Sequence, residues 1–125
     1  MMNIDIQSSS GSQKNALHKP SRRRPRLKQI EYFIAILKQH KQELVRQYKV
    51  KSLGVFGSYV RHEQKKDSDL DVLVEFNEGD LPSLFEFVEL ELHLSELLGV
   101  KVDLVEKDGL KPRIGAHILA EAVPI

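Results

Sequence analysis

The hydrophobic positions of the chain fall into two helical patterns. Between Leu27 and Tyr48, apolar residues recur at three- and four-residue spacings with Lys, Gln and Glu between them, which predicts an amphipathic helix. After a turn marked by Gly79 and Pro82, a second apolar run predicts another long helix, which Gly99 closes. The apolar positions of this second helix are Leu84, Phe85, Val88, Leu92, Leu94, Leu97 and Leu98.

Three shorter segments have the pattern of strands. SLGVFG is an apolar run that predicts a strand stopping at Gly57. DSDLDVLVEF alternates, so its strand has one apolar face and one face with carboxylates. The apolar face holds Leu70, Val72, Val74 and Phe76, and the other face holds Asp69, Asp71, Leu73 and Glu75. In VKVDLVE, Val100, Val102 and Leu104 share one face, opposite Lys101, Asp103 and Val105.

The order of these elements predicts the fold class. A short helix or turn begins at Ser58, between the first two strands, and a last short helix runs from about Arg113 to Ala122. The chain is therefore expected to be α/β (α+β), with a small three-stranded sheet that helices cover mainly on one side.

Composition narrows the function classes without naming one. The 125 residues have the length of one domain, and no run of residues is apolar enough to span a membrane, so no membrane partner is expected. The chain has no cysteine, which excludes disulfides and thiolate chemistry and favours the cytoplasm. The histidines are scattered without the spacing of metal ligands, and no P-loop is present.

The net charge of +1 is unevenly distributed. Residues 1–26 hold six basic side chains and one acidic one, a net charge of +5, so that residues 27–125 carry −4. We expect residues 1–26 to be a disordered basic leader and residues 27–125 to be the folded domain. The cluster SRRRPR is compatible with contact to nucleic acid or to an acidic partner, but a solvated leader with no dedicated ligand is favoured, so direct nucleic-acid binding is not expected.

The residues with chemical potential form one constellation. Gly57-Ser58 is followed after ten residues by Asp69-x-Asp71, and a lone Asp103 lies in the next predicted strand. Side chains two apart project from the same face of a strand, so Asp69 and Asp71 can present two carboxylates to one site. Asp103 joins them only if its strand is adjacent and in register.

This constellation suits a divalent metal and a phosphate. Paired carboxylates repel each other unless a cation lies between them, and Mg²⁺ prefers oxygen ligands. Three carboxylates suit two ions, one at the attacking hydroxyl and one at the triphosphate. Gly57 allows close backbone approach to a phosphate, and Ser58 offers a hydroxyl and backbone N–H groups. Each motif by itself has an ordinary structural explanation, such as a capped turn or a solvent-facing aspartate.

From Val50 to Ile125 the chain resembles the minimal nucleotidyltransferases of the DNA polymerase β superfamily. The resemblance lies in GSYVRHEQKKDSDLD, in VKVDLV around Asp103, and in the closing ILAEAVPI. It implies a small mixed sheet with flanking helices and the transfer of a nucleoside monophosphate, here AMP from ATP, to a hydroxyl.

By this resemblance, Asp69, Asp71 and Asp103 are the catalytic and metal-binding residues, and Gly57, Ser58 and Arg61 bind the nucleotide. The family commonly has Ala-Arg-Gly-Glu where this chain has Val60, Arg61, His62 and Glu63. Arg61 is therefore kept, whereas His62 replaces a glycine and is expected to narrow the approach to the site.

The acceptor is the least determined part of the function. Small members of this family resemble antitoxins that adenylylate a tyrosine of a cognate HEPN ribonuclease toxin, and the short chain favours such a protein partner. One alternative is an antitoxin that binds its toxin stoichiometrically without catalysis. Another is a small-molecule nucleotidyltransferase similar to the aminoglycoside-modifying enzymes.

Overall fold

The computed structural model describes residues 29–125, so the predicted basic leader lies outside the described residues. The helices are α1 (Gln29–Tyr48), α2 (Leu84–Leu98) and α3 (Pro112–Glu121), and the strands are β1 (Val50–Phe56), β2 (Leu70–Phe76), β3 (Val102–Glu106) and β4 (Val123–Pro124). A short 3₁₀ helix, Lys107–Gly109, connects β3 to the segment that precedes α3. The predicted long helices, strands and last short helix are all present, and most of their bounds lie within two residues of those expected. β2 begins at Leu70, three residues after the predicted start at Asp67, and the segment from Ser58 is a turn.

The four strands form one mixed sheet in the order β3-β2-β1-β4. β1 pairs antiparallel with β2 and with β4, whereas β2 and β3 run parallel, joined by the crossover through α2. The α+β class is confirmed, but the prediction of three strands was wrong by one. β4 has only two residues, too few for alternation to reveal a strand.

The main core lies between one sheet face and the helices α1 and α2. The predicted apolar faces of β2 and β3 are both buried in it, as sequence alternation indicates. From the helices the buried residues are Ile30, Phe33, Leu37, Leu44, Leu90, Leu94 and Leu98. The other sheet face is less open than predicted, because Leu73 and Phe56 are also buried there. At Gly54 this face meets the junction between α3 and β4, where an added Cβ would lie 3.3 Å from the Val123 carbonyl oxygen.

α2 begins and ends as its sequence predicts, but its apolar residues do not all face the core. Ser83 and Glu86 form a reciprocal capping box, and Gly99 ends the helix with φ 74°. Leu84, Phe85 and Leu92 are 79%, 86% and 60% exposed, respectively. We call these three, with Val88 and Leu81, the outer apolar strip; it faces away from the sheet. None of the helices in the described residues is long and apolar enough to span a membrane.

Replacing Leu94 by Ala is expected to lower the free energy of unfolding by about 2–5 kcal/mol, because it opens a cavity under the sheet. Leu94 is fully buried, whereas Leu92 on the same helix is 60% exposed, so Leu92→Ala is the matched control and should have a much smaller effect. Urea denaturation of both variants measures the difference. Equal losses would show that α2 packs on the sheet with a different face.

Candidate active site

The turn after β1 is built around a glycine that no other residue can replace without movement. Gly57 has φ 84°, in the left-handed region that side chains disfavour. A Cβ added there would collide with Oδ2 of Asp71 and lie 2.9 Å from its Cγ. Gly57 therefore lets the turn lie directly against the Asp71 carboxylate.

Ser58 lies in a hydrogen-bonded turn rather than at the start of a regular helix. The Val60 and Arg61 N–H groups donate to the Gly57 carbonyl at 3.0 and 3.2 Å, and the Glu63 N–H donates to that of Ser58 at 2.8 Å. Within residues 29–125, no hydrogen bond engages the N–H groups of Ser58 and Tyr59. Like the first amides of a helix, these two groups have no hydrogen-bond partner among the described residues.

The strand pairing brings Asp71 and Asp103 together. In the parallel ladder between β2 and β3, Asp71 is the direct partner of Asp103, so both side chains project from the same face. The condition that sequence left open for Asp103 is therefore met. Asp69 lies one residue before β2 rather than inside it, next to Leu70, whose N–H donates to the Lys101 carbonyl at 2.9 Å.

Side chains of α2 fix the strand that carries Asp103. β3 is an edge strand, and its outward N–H groups would otherwise lack a ladder partner. Ser95 Oγ accepts the Val102 N–H at 3.0 Å, and Glu91 Oε2 accepts the Leu104 N–H at 2.8 Å. Both neighbours of Asp103 are thus anchored, which holds its register beside β2.

A buried tyrosine supports the segment that leads to Asp69. Tyr59 is 5% exposed, and its ring packs edge-on against Phe33 with centroids 5.5 Å apart. Its hydroxyl lies 3.4 Å from the Ser68 carbonyl oxygen, and Ser68 Oγ accepts the Lys65 N–H at 2.7 Å. Burial and then the nearby Asp69 carboxylate raise the pKa of Tyr59. The loop before Asp69 is therefore tied to the core.

Asp71 is held in an environment that disfavours its charge. Its pKa is raised to about 6, first by burial, then by repulsion from Asp103 and Asp69, and also by a hydrogen bond with Asp103. The Arg61 guanidinium opposes the shift only weakly. On the same face of β2, Glu75 instead accepts the Ser52 hydroxyl at 3.0 Å, which lowers its pKa, as do Lys107 and Lys51. The uncompensated negative charge thus lies at the Asp71 end of the strand.

The negative charge around Asp71 and Asp103 suits a divalent cation, although the described residues do not form a complete set of metal ligands. Among the described residues, no three His, Asp or Glu side chains converge closely enough to form a complete metal site. The oxygens of Asp71 and Asp103 are nevertheless hard ligands of the kind that Mg²⁺ prefers, and their mutual repulsion is what a cation relieves. Asp69 lies at the edge of the pair, and phosphate oxygens can complete such a site.

Arg61 is already engaged by two carboxylates. Its Nε donates to Glu63 at 2.9 Å and its Nη1 donates to Glu121 at 2.8 Å. Glu121 also accepts the Gly57 N–H at 2.7 Å. Sequence reasoning assigned no role to Glu121; the available signal was that it is the one acidic residue after Asp108.

His62 occupies a backbone position suited to glycine. Its φ is 61°, in the left-handed region, which explains why the family that the chain resembles commonly has glycine there. The His62 side chain is exposed. Compared with a glycine at this position, His62 adds backbone strain and also occupies space near the turn.

The three aspartates lie on an open surface. Two surface cavities, of about 280 and 340 Å³, have linings that include none of the three. Asp103 is exposed, and Asp69 and Asp71 are partly so. Within the described residues, the aspartates therefore lie at the surface and outside these two cavities.

Comparisons with known proteins agree with this geometry. Residues 37–124 match the family model described as a nucleotidyltransferase domain. The chain is 52% identical over 94 residues to the protein adenylyltransferase MntA of Thermococcus cleftensis, covering 75% of this chain and 93% of that protein.

Solved structures have the same fold. A minimal nucleotidyltransferase superposes with a TM-score of 0.62 at 39% identity, covering 79% of this chain and 95% of that one. The complex of a tri-AMPylated HEPN toxin with an MNT antitoxin, from Shewanella oneidensis, gives 0.51 at 22% identity, covering 69% and 66% of the two chains. At that identity the second likeness supports the fold alone.

Replacing Asp71 by Asn is expected to raise the thermal midpoint by a few degrees at pH 7.5. Because the pKa of Asp71 is raised to about 6 in the folded protein, the folded state holds this proton more tightly than the unfolded state, and stability falls as pH rises from about 4 through 6. The gain should vanish near pH 4. Asp67→Asn, at an exposed turn position, is the control. A lower midpoint for Asp71→Asn at pH 7.5 would contradict the electrostatic account.

Proposed function

Because this chain belongs to the nucleotidyltransferase family, we propose that it transfers AMP from ATP to a hydroxyl group in a magnesium-dependent reaction. The observation that carries the proposal is the direct pairing of Asp71 with Asp103. The turn at Gly57 lies against the Asp71 carboxylate, in a space that any side chain on residue 57 would fill. Two carboxylates and a turn with free N–H groups thereby share one surface. Such a surface suits a triphosphate that is bound together with cations.

In this proposal the turn after β1 holds the triphosphate. Ser58 supplies its hydroxyl and its N–H, and Gly57 leaves room for the phosphates because it has no side chain. Arg61 adds positive charge through the guanidinium N–H groups that are not bonded to Glu63 or Glu121. Asp69, Asp71 and Asp103 provide the oxygen ligands. Two Mg²⁺ ions, when bound there, would supply the charge that offsets the triphosphate and polarises the acceptor hydroxyl.

The transfer step assigns different tasks to the paired aspartates. The acceptor oxygen forms a bond to the α-phosphorus, the bond from that phosphorus to the bridging oxygen breaks, and pyrophosphate leaves. Asp103, the exposed member of the pair, faces the acceptor and accepts the hydroxyl proton. Asp71, which is more buried and touches the Gly57 turn, stays with the triphosphate.

We further propose that the acceptor is a tyrosine of a cognate HEPN toxin. The open site leaves room for a protein side chain, and the described part of the chain has no second domain to enclose a small acceptor. The similarity to a protein adenylyltransferase supports a protein acceptor. We choose a HEPN toxin as its class because an MNT antitoxin of the same fold forms a complex with an AMPylated HEPN toxin.

The outer apolar strip is the surface that we assign to the toxin. An exposed strip of this kind on a helix is typical of a protein interface. α2 carries four glutamates and no Lys or Arg, so a second copy of this chain would bring like charges together. A toxin with basic residues around an apolar contact is the complementary partner.

Replacing Asp103 by Asn is expected to lower turnover by at least about a hundredfold, whereas Mg²⁺-dependent ATP binding falls much less than in Asp71→Asn. The double variant Asp69→Ala/Asp71→Ala should lose transfer entirely. Calorimetric titration with ATP, beside an assay of AMP transfer to the HEPN toxin that the proposal expects the neighbouring gene to encode, separates these effects. Asp108→Asn, exposed and remote from the turn, is the control.

The same assays distinguish the alternatives. Normal turnover in Asp103→Asn would overturn the assembly of the site. Silencing of the toxin by the inactive double variant would favour a stoichiometric antitoxin. Transfer to an aminoglycoside but not to the toxin would favour a small-molecule enzyme.

Replacing Phe85 by Ser is expected to weaken binding to the same toxin by about tenfold or more, as for an apolar anchor at an interface. Mg²⁺-ATP binding should be unchanged, because the strip lies on the far side of the helical layer from the aspartates. Ile114→Ser, at an exposed apolar residue of α3, is the matched control. An unaltered toxin affinity for Phe85→Ser would place the interface elsewhere.

A further inference from the structure

We propose that Glu121 is a positioning residue that holds the phosphate-binding turn in its binding conformation. This inference rests on the proposed function, because it concerns the same triphosphate site. It adds a residue from the end of the chain to a site otherwise formed by β1, β2 and β3.

The contacts of Glu121 join the two ends of the turn. Its Oε2 accepts the Gly57 N–H at 2.7 Å and its Oε1 accepts Arg61 Nη1 at 2.8 Å. Both distances are short for N–H···O bonds, as charge-assisted bonds are. The bond to Arg61 and then that to Gly57 lower the pKa of Glu121, so it is ionised at neutral pH. One carboxylate thus restrains the glycine with positive φ and the nearby guanidinium.

The backbone around Glu121 is itself fixed to β1. Glu121 is the last residue of α3, and Val123 pairs with Val55. The Ile125 N–H donates to the Leu53 carbonyl at 2.9 Å. The Glu121 side chain is only 15% exposed. The carboxylate is therefore presented from a rigid support, as a positioning group requires.

A carboxylate that accepts from a backbone N–H and a guanidinium also resembles a phosphate, so a triphosphate competes in principle for the same donors. The geometry points instead to positioning. Gly57 gives its N–H to Glu121, whereas the Ser58 and Tyr59 N–H groups remain open within the described residues. Arg61 also has further N–H groups, since Nε and Nη1 account for only two of its five donors. The triphosphate can therefore bind without removing Glu121.

Without Glu121, the turn would lose its restraint. Gly57 is free to adopt many backbone conformations, so its ordering has to be supplied by its contacts. Arg61 would keep only Glu63, whose side chain is 65% exposed, whereas the Gly57 N–H donates to Glu121. Glu63→Gln is thus the matched control, since it removes a carboxylate from Arg61 while leaving Gly57 restrained.

The test compares the wild-type chain with Glu121→Gln and Glu63→Gln at a temperature well below their melting transitions. Mg²⁺-ATP affinity is measured by calorimetry, and the Gly57 amide is followed by proton–nitrogen NMR. Glu121→Gln should bind Mg²⁺-ATP about tenfold more weakly, as for the loss of one charge-assisted interaction, and Glu63→Gln should change little. The Gly57 amide proton should move upfield in Glu121→Gln, and in the wild type should keep its downfield position when Mg²⁺-ATP binds.

Each other result overturns an identifiable claim. Tighter Mg²⁺-ATP binding by Glu121→Gln, or release of the Gly57 amide when the nucleotide binds, would show that Glu121 is displaced rather than positioning. Wild-type affinity in Glu121→Gln would show that its contacts only join α3 to the sheet. Absence of Mg²⁺-ATP binding by the wild type would instead overturn the proposed function itself.

Discussion

The parallel pairing of β2 with β3 is the constraint on which the candidate site depends. It places Asp71 and Asp103 side by side although their charges repel, as the raised pKa of Asp71 shows. Burial of the opposite faces of the same strands, together with the helices, offsets this repulsion. The hydrogen bonds from β3 to Glu91 and Ser95 then prevent a slip of register that would separate the two carboxylates.

Two local features of the site are individually unfavourable. His62, which has a side chain, has a positive φ, and Asp71 carries a charge in a partly buried position. Features of this kind concentrate at functional sites, where binding requires a defined geometry and an unsatisfied charge. A bound cation and triphosphate would compensate the charge that the free protein leaves unbalanced. In the proposed function, these ligands would therefore stabilise the folded chain by relieving that charge.

The sequence predicted the elements of the fold well because its alternation and helical spacing are regular. Asp71 could be assigned to a face from its neighbours Leu70 and Val72, since that decision is local. The position of Asp103 could not, because strand adjacency depends on the long-range crossover through α2. Glu121 was missed for the same reason: its contacts with Gly57 and Arg61 join distant parts of the chain. The exposure of the outer apolar strip could not be predicted either, because α2 is apolar on more than one face and the sequence does not show which face packs on the sheet.

The crossover through α2 also separates the parts of the site along the chain. Gly57 and Asp71 belong to the antiparallel pair of β1 and β2, which are neighbours in sequence. Asp103 follows α2 in the chain, and Glu121 comes later still. A chain emerging from the ribosome therefore contains Gly57 and Asp71 before Asp103 and Glu121 have been made. The candidate site can be complete only after α2, β3 and α3 have all been synthesised.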